Sequence, residues 1–336
     1  MTRRVTLADV AARVGVSAKS VSNVVNQTGW VGDEVRERIL TAIDEMGYRP
    51  NLAARQLRNG RSGLIALVLP RLSEPYFAEF ASRFVRRAQV RGLTVLIAQT
   101  DGARDAELRM MTGEGFPALD GIVLSPLGLT ADDVAGRDAS SPLVLIGEEA
   151  ENLVGSDVHH VGIDNIAAAA AATTTLLDSG CRRIAVVGVQ ESGPGATSRL
   201  RLEGYRRALA SAGIRVDPAL FAPVHDFNRA EASRAVRELL SSGTTFDGMF
   251  CFSDTLALGA LYTLASENIS VPGDVQVMGF DGLEEGQYHF PAFSTIDPGI
   301  DAVADTVLDL LPTPPPVGVR HVVPHHVVRR SDRRAD

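Results

Sequence analysis

Residues 5–26 read VTLADVAARVGVSAKSVSNVVN, and this stretch decides the fold of the N-terminal region. Thr6 followed three residues later by Asp9 is typical of a helix start, and apolar residues then recur at helical spacing. Gly15 can end that helix, and Ser17 can cap the next one. The pattern predicts two helices joined by a tight turn, which is the geometry that presents a second helix to the major groove of DNA.

A third helix and a short segment that begins with proline follow. Asp33 is expected to cap this third helix, whose apolar side would close a three-helix core. That apolar side is formed by Val35, Ile39, Ala42, Ile43 and Met46. Residues 50–60, PNLAARQLRNG, can form about two helical turns, which is too short to hold in water without a partner. Leu57 could wedge between base steps in the minor groove, and the alternative is an ordinary linker helix with a solvated basic face.

Charge is distributed unevenly along the chain. The first 61 residues hold ten Lys and Arg against six Asp and Glu, and the remainder holds 23 against 35, within a net charge of −8. Lys19, the only lysine of the chain, could donate to guanine, and Asn23 could pair with adenine. Binding to phosphates needs only local positive charge, so the basic N-terminal region can bind DNA while the acidic remainder is repelled by it.

Several protein classes fit the sequence poorly. The 336 residues exceed one compact core, which favours a small module followed by a larger two-lobed region. The chain contains neither an uncharged apolar run long enough to span a membrane nor the apolar stretch of a signal peptide, so we expect a cytoplasmic protein. Cys181 and Cys251 lack the spacing of a metal site, and we interpret both as reduced packing residues.

Beyond residue 63, apolar runs alternate with amphipathic helical segments. The first set of runs lies at 64–69, 93–98, 122–124 and 143–146, and the second at 184–188, 249–252 and 275–280. Strands that are apolar on both faces and alternate with helices predict parallel sheets. The sequence therefore predicts an α/β region of two doubly wound lobes, with a ligand cleft between the carboxyl ends of their strands.

Candidate ligand-binding residues lie just past these strands. They are Tyr76, Phe77, Arg201, Phe227, Ser253, Asp254 and Asp281. An arginine and an aspartate at facing strand ends, with an aromatic ring beside them, suit a neutral polyhydroxylated ring, and a nucleobase would also fit. The alternatives are that Tyr76 and Phe77 are core residues and that Arg201 pairs with Glu203 on a helix surface.

Four motifs in this order and spacing resemble the lactose-repressor (LacI/GalR) family: VTLADVA at 5–11, GVS at 15–17, VSNVVN at 21–26 and GYRPN at 47–51. The resemblance implies a transcriptional regulator, most readily a repressor, that binds a near-palindromic operator as a homodimer. It also implies that Leu57 is an intercalating hinge residue. The DNA-contact candidates are Thr6, Ser17, Ala18, Lys19, Ser20, Ser22, Asn23, Asn26, Asn51, Ala54, Leu57 and Arg58. Many members of the family have arginine where this chain has Asn23.

The resemblance extends over the remainder of the chain and implies a body like that of periplasmic sugar-binding proteins. The implied domains are 1–50 for DNA binding, 51–62 for the hinge, 63–163 with 295–316 for the N-terminal lobe, and 164–294 with 317–336 for the C-terminal lobe. Matched to the family, the effector positions are Phe77, Thr197, Arg201, Phe227 and Asp281, together with Ser253 and Asp254, where Ser253 replaces the usual asparagine. Cys181 and the glycines near residue 115 also depart from the family pattern.

Other functions have weaker support in the sequence. Gly193-Pro194-Gly195 does not form a dinucleotide fingerprint, and the pairs His159-His160 and His325-His326 read as strand ends rather than metal ligands, so we expect neither a cofactor nor an enzyme. A transporter's solute-binding protein would share the body but lack the N-terminal motifs. The hypothesis is that an effector, most readily a sugar, changes the angle between the lobes and thereby the spacing of two hinges in a dimer. The sign of that response is left open.

Overall fold

The computed structural model describes residues 5–26, 28–48, 61–137, 141–153, 158–191, 195–312 and 318–330. The chain divides into two compact units, Met1–Ser62 and Gly63–Asp336, which we call the head and the body. Within the described residues, no helix has both the length and the apolar content required to cross a bilayer.

The described part of the head contains three helices: α1 (Leu7–Val14), α2 (Ala18–Asn26) and α3 (Asp33–Glu45). The backbone N–H of Asp9 donates to Thr6 Oγ1 at 3.3 Å, and the backbone N–H of Thr6 donates to Asp9 Oδ2 at 2.8 Å, so the predicted helix start is present as a capping box. Gly15 ends α1 with φ of 75°, a conformation that favours glycine. The backbone N–H of Ser20 donates to Ser17 Oγ at 3.1 Å, which caps α2 as predicted.

The start of α3 differs from the prediction. Gly32, not Asp33, is the N-cap, and it provides no side-chain cap. Asp33 is the first helical residue, where its carboxylate still interacts favourably with the positive end of the helix dipole. The buried core of the head consists of Val10, Ala11, Val14, Val21, Val24, Ile39, Ala42 and Tyr48.

The body begins with a six-stranded parallel sheet, which defines the first lobe together with its helices. Its elements are β1 (Leu64–Leu69), α4 (Pro75–Val90), β2 (Thr94–Gln99), α5 (Arg104–Met111), β3 (Gly121–Leu124), α6 (Ala131–Ala135), β4 (Leu143–Ile146) and β5 (Val158–Ile163). The strand order is β11-β5-β4-β3-β1-β2, where β11 is a strand from near the C-terminus. The order from β2 to β5 is that of a doubly wound sheet.

A four-stranded parallel sheet defines the second lobe. Its elements are α7 (Asn165–Asp178), β6 (Ile184–Val189), α8 (Ala196–Ser211), β7 (Phe221–Pro223), α9 (Arg229–Ser241), β8 (Gly248–Cys251), α10 (Asp254–Ser266), β9 (Gln276–Met278) and α11 (Glu285–Tyr288). The strand order is β7-β6-β8-β9. Cys181 and Cys251 are both buried in this lobe.

The C-terminal segments connect the two lobes differently from the prediction. The chain continues through β10 (Thr295–Asp297), α12 (Ile300–Leu310), β11 (Arg320–Val323) and β12 (His326–Val328). Since β11 pairs in parallel with β5, residues 320–323 lie in the sheet of the first lobe, and the boundary predicted at residue 316 is wrong. This short edge strand buries only Val323, so no apolar run marks it in the sequence. β12 then pairs antiparallel with β10.

Candidate functional site

The outward face of α2 carries the candidate DNA contacts of the head. Ala18 and Lys19 are exposed at the beginning of the helix, and Ser22 and Asn23 are half-buried one turn later. Asn26 Nδ2 donates to the Ser22 carbonyl oxygen at 2.8 Å and lies 3.1 Å from Ser22 Oγ. The helix therefore presents one lysine and a row of short polar groups, which are the side-chain types that reach base edges.

The remaining candidates of this region divide between two roles. Thr6 and Ser17 are helix caps, and Ser20 Oγ lies 2.9 Å from Ser17 Oγ, so all three hydroxyls take part in local hydrogen bonds at the helix starts. The hinge candidates Asn51, Ala54, Leu57 and Arg58 lie outside the described residues.

Trp30 is a feature of the head that the sequence analysis missed. It lies in the loop between α2 and α3, and 90% of its surface is exposed. The loop packs on α2, because a Cβ at Gly29 would come within 2.7 Å of Asn23 Nδ2. A large apolar residue within a polar loop was the sequence feature that could have drawn attention to Trp30. Its indole ring lies in the loop that follows α2.

The body contains a cavity in which residues of both lobes meet. The first lobe contributes the beginning of α4, the segment after β4 and the strand β5, and the second lobe contributes α7, α8 and the segment after β9. The polar residues that line it are Tyr76, Glu148, Glu151, His160, Asn165, Arg201 and Asp281. The cavity lies at the carboxyl ends of the strands, which is where doubly wound sheets bind ligands.

Arg201 is the centre of the hydrogen-bond network in the cavity. Its Nε donates to Asn165 Oδ1 at 3.0 Å and its Nη2 to Glu148 Oε1 at 3.3 Å, while Nη1 donates to the carbonyl oxygen of Phe252. Asp281 Oδ1 lies 3.7 Å from Nη1. The guanidinium group also stacks 3.5 Å from the centroid of the Phe280 ring.

The surface pairing of Arg201 with Glu203, which the sequence left open, is wrong. Arg201 is only 5% exposed, whereas Glu203 pairs with Arg207 at 2.8 Å on the outer face of α8. The close approach of α7 to α8 sets the position of Arg201 beside Asn165. A Cβ at Gly204 would come within 2.3 Å of the Ile166 carbonyl oxygen, so this helix pair requires glycine there.

Burial changes the protonation of the acids in this region. It raises the pKa of Asp281 well above its usual range, and the nearby Arg201 opposes that rise. Burial also raises the pKa of Asp254 to about 7, against hydrogen bonds that lower it. The pKa of the Tyr76 hydroxyl is raised as well, chiefly by burial, so Tyr76 remains a neutral donor and acceptor.

The other predicted effector residues lie at different depths. Thr197 Oγ1 donates to Glu148 Oε2 at 3.1 Å, so Thr197 joins the network. Ser253 caps α10, and Asp254 accepts from the Leu283 backbone N–H at 2.8 Å and from Thr295 Oγ1 at 2.6 Å. Both are buried, and neither lines the cavity. Phe77 and Phe227 are half-buried against the core and do not line the cavity.

Four polar residues of the cavity were missed from the sequence: Glu148, Glu151, His160 and Asn165. Glu148 and Asn165 follow β4 and β5, so the strand-end argument applied to Tyr76 and Asp281 would have found them. His160 was interpreted as a strand end, but it lies inside β5, and its ring lines the cavity. The side-chain alternation of β5 was therefore the signal for His160.

First-lobe side chains also connect the lobes away from the cavity. Glu74 Oε1 accepts from Thr255 Oγ1 at 2.8 Å, and Arg71 lies 3.6 Å from Asp226. Together with Glu148, these residues hold the second lobe against the first from several directions.

Comparison with known proteins places the chain in a family. Residues 6–51 match "Bacterial regulatory proteins, lacI family", and residues 173–331 match "Periplasmic binding protein-like domain". The ribose operon repressor of Halalkalibacterium halodurans is 32% identical over 294 residues, which cover 87% of this chain and 85% of the repressor. The chain belongs to the LacI family.

Solved structures of LacI-family regulators agree with this assignment. A LacI-family transcriptional regulator from Sanguibacter keddieii is 36% identical and superposes with a TM-score of 0.73, covering 81% of this chain and 99% of the other. The regulator CelR in complex with cellobiose is 30% identical with a TM-score of 0.66, covering 98% of this chain and 100% of CelR. The predicted fold class and family are thus confirmed, and this LacI-family member has a DNA-binding region followed by a periplasmic-binding-protein-like domain.

Proposed function

We propose that this LacI-family regulator is a repressor that binds a near-palindromic operator as a homodimer and responds to a sugar or sugar derivative bound between its two lobes. The observation that carries this proposal is the convergence of Tyr76, Glu148 and His160 of the first lobe with Asn165, Arg201 and Asp281 of the second on one cavity. A ligand that contacts both lobes can change the angle between them, which is the requirement for an effector.

The operator would be read by α2. Lys19 and Asn23 carry the groups that can contact base edges, and Ala18 would make an apolar contact beside them in the groove. Thr6, Ser17, Ser20, Ser22 and Asn26 would contact phosphates or neighbouring bases. In our proposal Asn51, Ala54, Leu57 and Arg58 belong to a hinge that folds on the minor groove, and its folding couples the effector to the operator.

In our proposal the second copy of the chain binds at a groove on the body. The groove is lined by α4 of the first lobe and by residues 282–288 of the second, and it carries Val90 and Tyr288 as exposed apolar side chains. Phe290, two residues further, is 97% exposed. The groove also holds Arg86 on one side and Glu284 on the other, which could pair across a twofold interface in which the same patch meets itself.

The identity of the ligand is inferred from the chemistry of the cavity and from relatives. Carboxylates, a neutral tyrosine and a histidine accept hydrogen bonds from hydroxyl groups, which a sugar supplies in number. The relatives include a repressor named for ribose and a regulator solved with cellobiose.

The proposal is tested with the full-length protein. Duplexes selected from a random pool would give the operator, and sedimentation velocity would give the mass of the complex. We expect two chains per palindromic duplex and a change in operator affinity of roughly fivefold or more with the effector, in the range usual for allosteric coupling. The same titration gives the sign of the response. A monomer on a single half-site would contradict the dimer, and selection of no duplex would contradict the repressor.

A further inference from the structure

His160 occupies an unusual position among the residues of the cavity. It lies in β5, is 1% exposed, and its ring lines the cavity between the lobes. Its Nε2 is 2.8 Å from the carbonyl oxygen of Gly147. Its Nδ1 is buried and has no hydrogen-bond partner within the described part of the chain.

The contact with Gly147 determines which ring nitrogen carries the proton. A carbonyl oxygen only accepts, so Nε2 must be the donor, and in the neutral ring Nδ1 then holds a lone pair. Burial lowers the pKa of His160, which favours this neutral form. His160, which lines the cavity, therefore carries a buried hydrogen-bond acceptor that nothing in the described protein satisfies.

The surroundings hold the ring in this place. A Cβ at Gly162 would come within 2.9 Å of His160 Cε1, so the absence of a side chain at Gly162 makes the room for the imidazole. The adjacent His159 points to the opposite face of β5, where its Nδ1 lies 3.2 Å from His321 Nε2. The two histidines thus share a strand and differ in their access to the cavity.

Acceptors outnumber available donors around this ring. The donors of Arg201 already serve Asn165, Glu148 and the Phe252 carbonyl oxygen. Glu151 is 2.7 Å from Arg320 Nη2. The Glu148 carboxylate remains at the cavity wall as a further acceptor, and its negative charge would repel an anion.

We propose that His160 Nδ1 is a specificity-determining acceptor for the effector, which donates a hydroxyl hydrogen to it, and that the cavity takes a neutral polyhydroxylated ring and rejects sugar acids and sugar phosphates. This inference rests on the proposed function, because it takes the cavity as the effector site. The unpaired buried nitrogen favours ligands that place a hydroxyl donor at that point, since a ligand without one leaves it unsatisfied.

The first test measures the ligand class. Neutral monosaccharides and disaccharides, and their sugar-acid and sugar-phosphate counterparts, would be titrated into the full-length protein by calorimetry. We expect neutral sugars to bind and each anionic counterpart to bind at least tenfold more weakly. Tighter binding of the anionic members would overturn the proposal.

The second test isolates His160 with the tightest neutral ligand. His160→Phe keeps a ring of similar size and removes both nitrogens, and we expect its Kd to rise about tenfold, as for a lost hydrogen bond to a buried group. His160→Gln restores an acceptor and a donor and should recover part of the loss. His159→Phe is the matched control, with unchanged Kd. Deoxy analogues of the ligand, in which one hydroxyl at a time is missing, should include one that binds wild type and His160→Phe equally.

The outcomes separate this inference from the proposed function. If the effector still alters operator binding but its Kd is the same in His160→Phe and wild type, the role of His160 is wrong and the regulator remains. If thermal unfolding shows that His160→Phe is misfolded, the comparison of His160→Gln with deoxy ligands decides the question instead. If no sugar of either panel changes the melting temperature or operator affinity, the proposed function fails, and this inference loses its basis with it.

Discussion

The head and the body carry their candidate functional residues in opposite ways. In the head, Lys19 and Asn23 lie on the outer face of a helix whose inner face packs the core. In the body, Arg201 and Asp281 are buried, and each depends on residues far away in the sequence. The head can therefore change its outer face without changing its fold, whereas a change in the body's cavity is also a change in its stability.

Removal of Arg201 tests the buried side of this comparison, with the largest expected effect. Arg201→Leu would leave Glu148 and Asp281 without their cation, which typically costs about 3–5 kcal/mol when one partner of a buried pair is removed. Urea unfolding of the full-length protein measures the loss. Effector binding should disappear in the same variant.

A matched control lies on the same helix. Arg207 pairs with Glu203 on the outer face of α8, and exposed pairs contribute roughly 0–1 kcal/mol. Arg207→Leu should therefore unfold close to wild type. Equal losses of unfolding free energy in the two variants would show that the cavity network stabilises the protein no more than an exposed ion pair does.

The core of the head gives the next largest effect. Ile39 is fully buried between the helices, and truncation of a buried isoleucine to alanine typically costs about 2–5 kcal/mol. Ile39→Ala should abolish operator binding, because α2 loses its support, while calorimetric effector affinity in the body stays the same. Leu40→Ala, at the adjacent exposed position, is the control. Loss of effector binding in Ile39→Ala would contradict the separation into two units.

The same contrast explains what the sequence could predict. In the head, Thr6 and Ser17 cap helices and Gly15 ends one, and each does so through residues within a few positions in sequence. These roles could therefore be predicted from local patterns, and the structure confirms them. Asp33 was misassigned by one position, since Gly32 can adopt the cap conformation without offering a side chain. The strands β1 and β4 have the predicted bounds because their apolar runs are buried on both faces.

The predictions that failed for the body depend on contacts between residues that are distant in sequence. β11 pairs with β5 at a sheet edge, where little burial is needed, so Arg320–Val323 carry no pattern that marks a strand. Alternation along β5 places His159 and His160 on opposite faces, but the contacts of His160 with Gly147 and Gly162 follow only from the folded sheet. Arg201 was selected from the motif and lines the cavity, yet its partner Glu148 could not be named, because pairing across two lobes leaves no spacing signal.

The pH dependence of stability tests the burial of Asp254. Burial raises the pKa of Asp254 above its unfolded value, so between these two values the folded state binds more protons than the unfolded one. The contribution of Asp254 to stability therefore falls as pH rises from about 4 to about 7. Asp254→Asn keeps the shape and removes the titration. We expect the difference in unfolding free energy between variant and wild type to change across this pH range, and a constant difference would contradict the burial of a titrating carboxyl.

Loss of a helix cap in the head should have a smaller effect. Thr6→Ala removes the hydroxyl that caps α1, and such substitutions cost typically about 1 kcal/mol. Operator affinity should fall a few-fold, measured by fluorescence anisotropy of a labelled duplex. Thr41→Ala is the control, since Thr41 is exposed and its hydroxyl donates to the Glu37 carbonyl oxygen within α3. An unchanged affinity in Thr6→Ala would mean that the start of α1 is held by other contacts.

The smallest effect on stability is expected at Trp30, which tests the exposed side of the comparison most directly. Because its ring is 90% exposed, Trp30→Phe should change the unfolding free energy by less than about 0.5 kcal/mol. Trp30 is also the only tryptophan of the chain, so its fluorescence reports on the head alone. If α2 enters the major groove, the nearby loop approaches the sugar-phosphate backbone, and operator DNA should shift the emission to shorter wavelength. Effector added without DNA should leave the emission unchanged, since the effector cavity lies in the body. A shift with effector alone would mean that the cavity and the head are coupled even without DNA. The exposed DNA-contact face of the head and the buried cavity of the body would then not be independent.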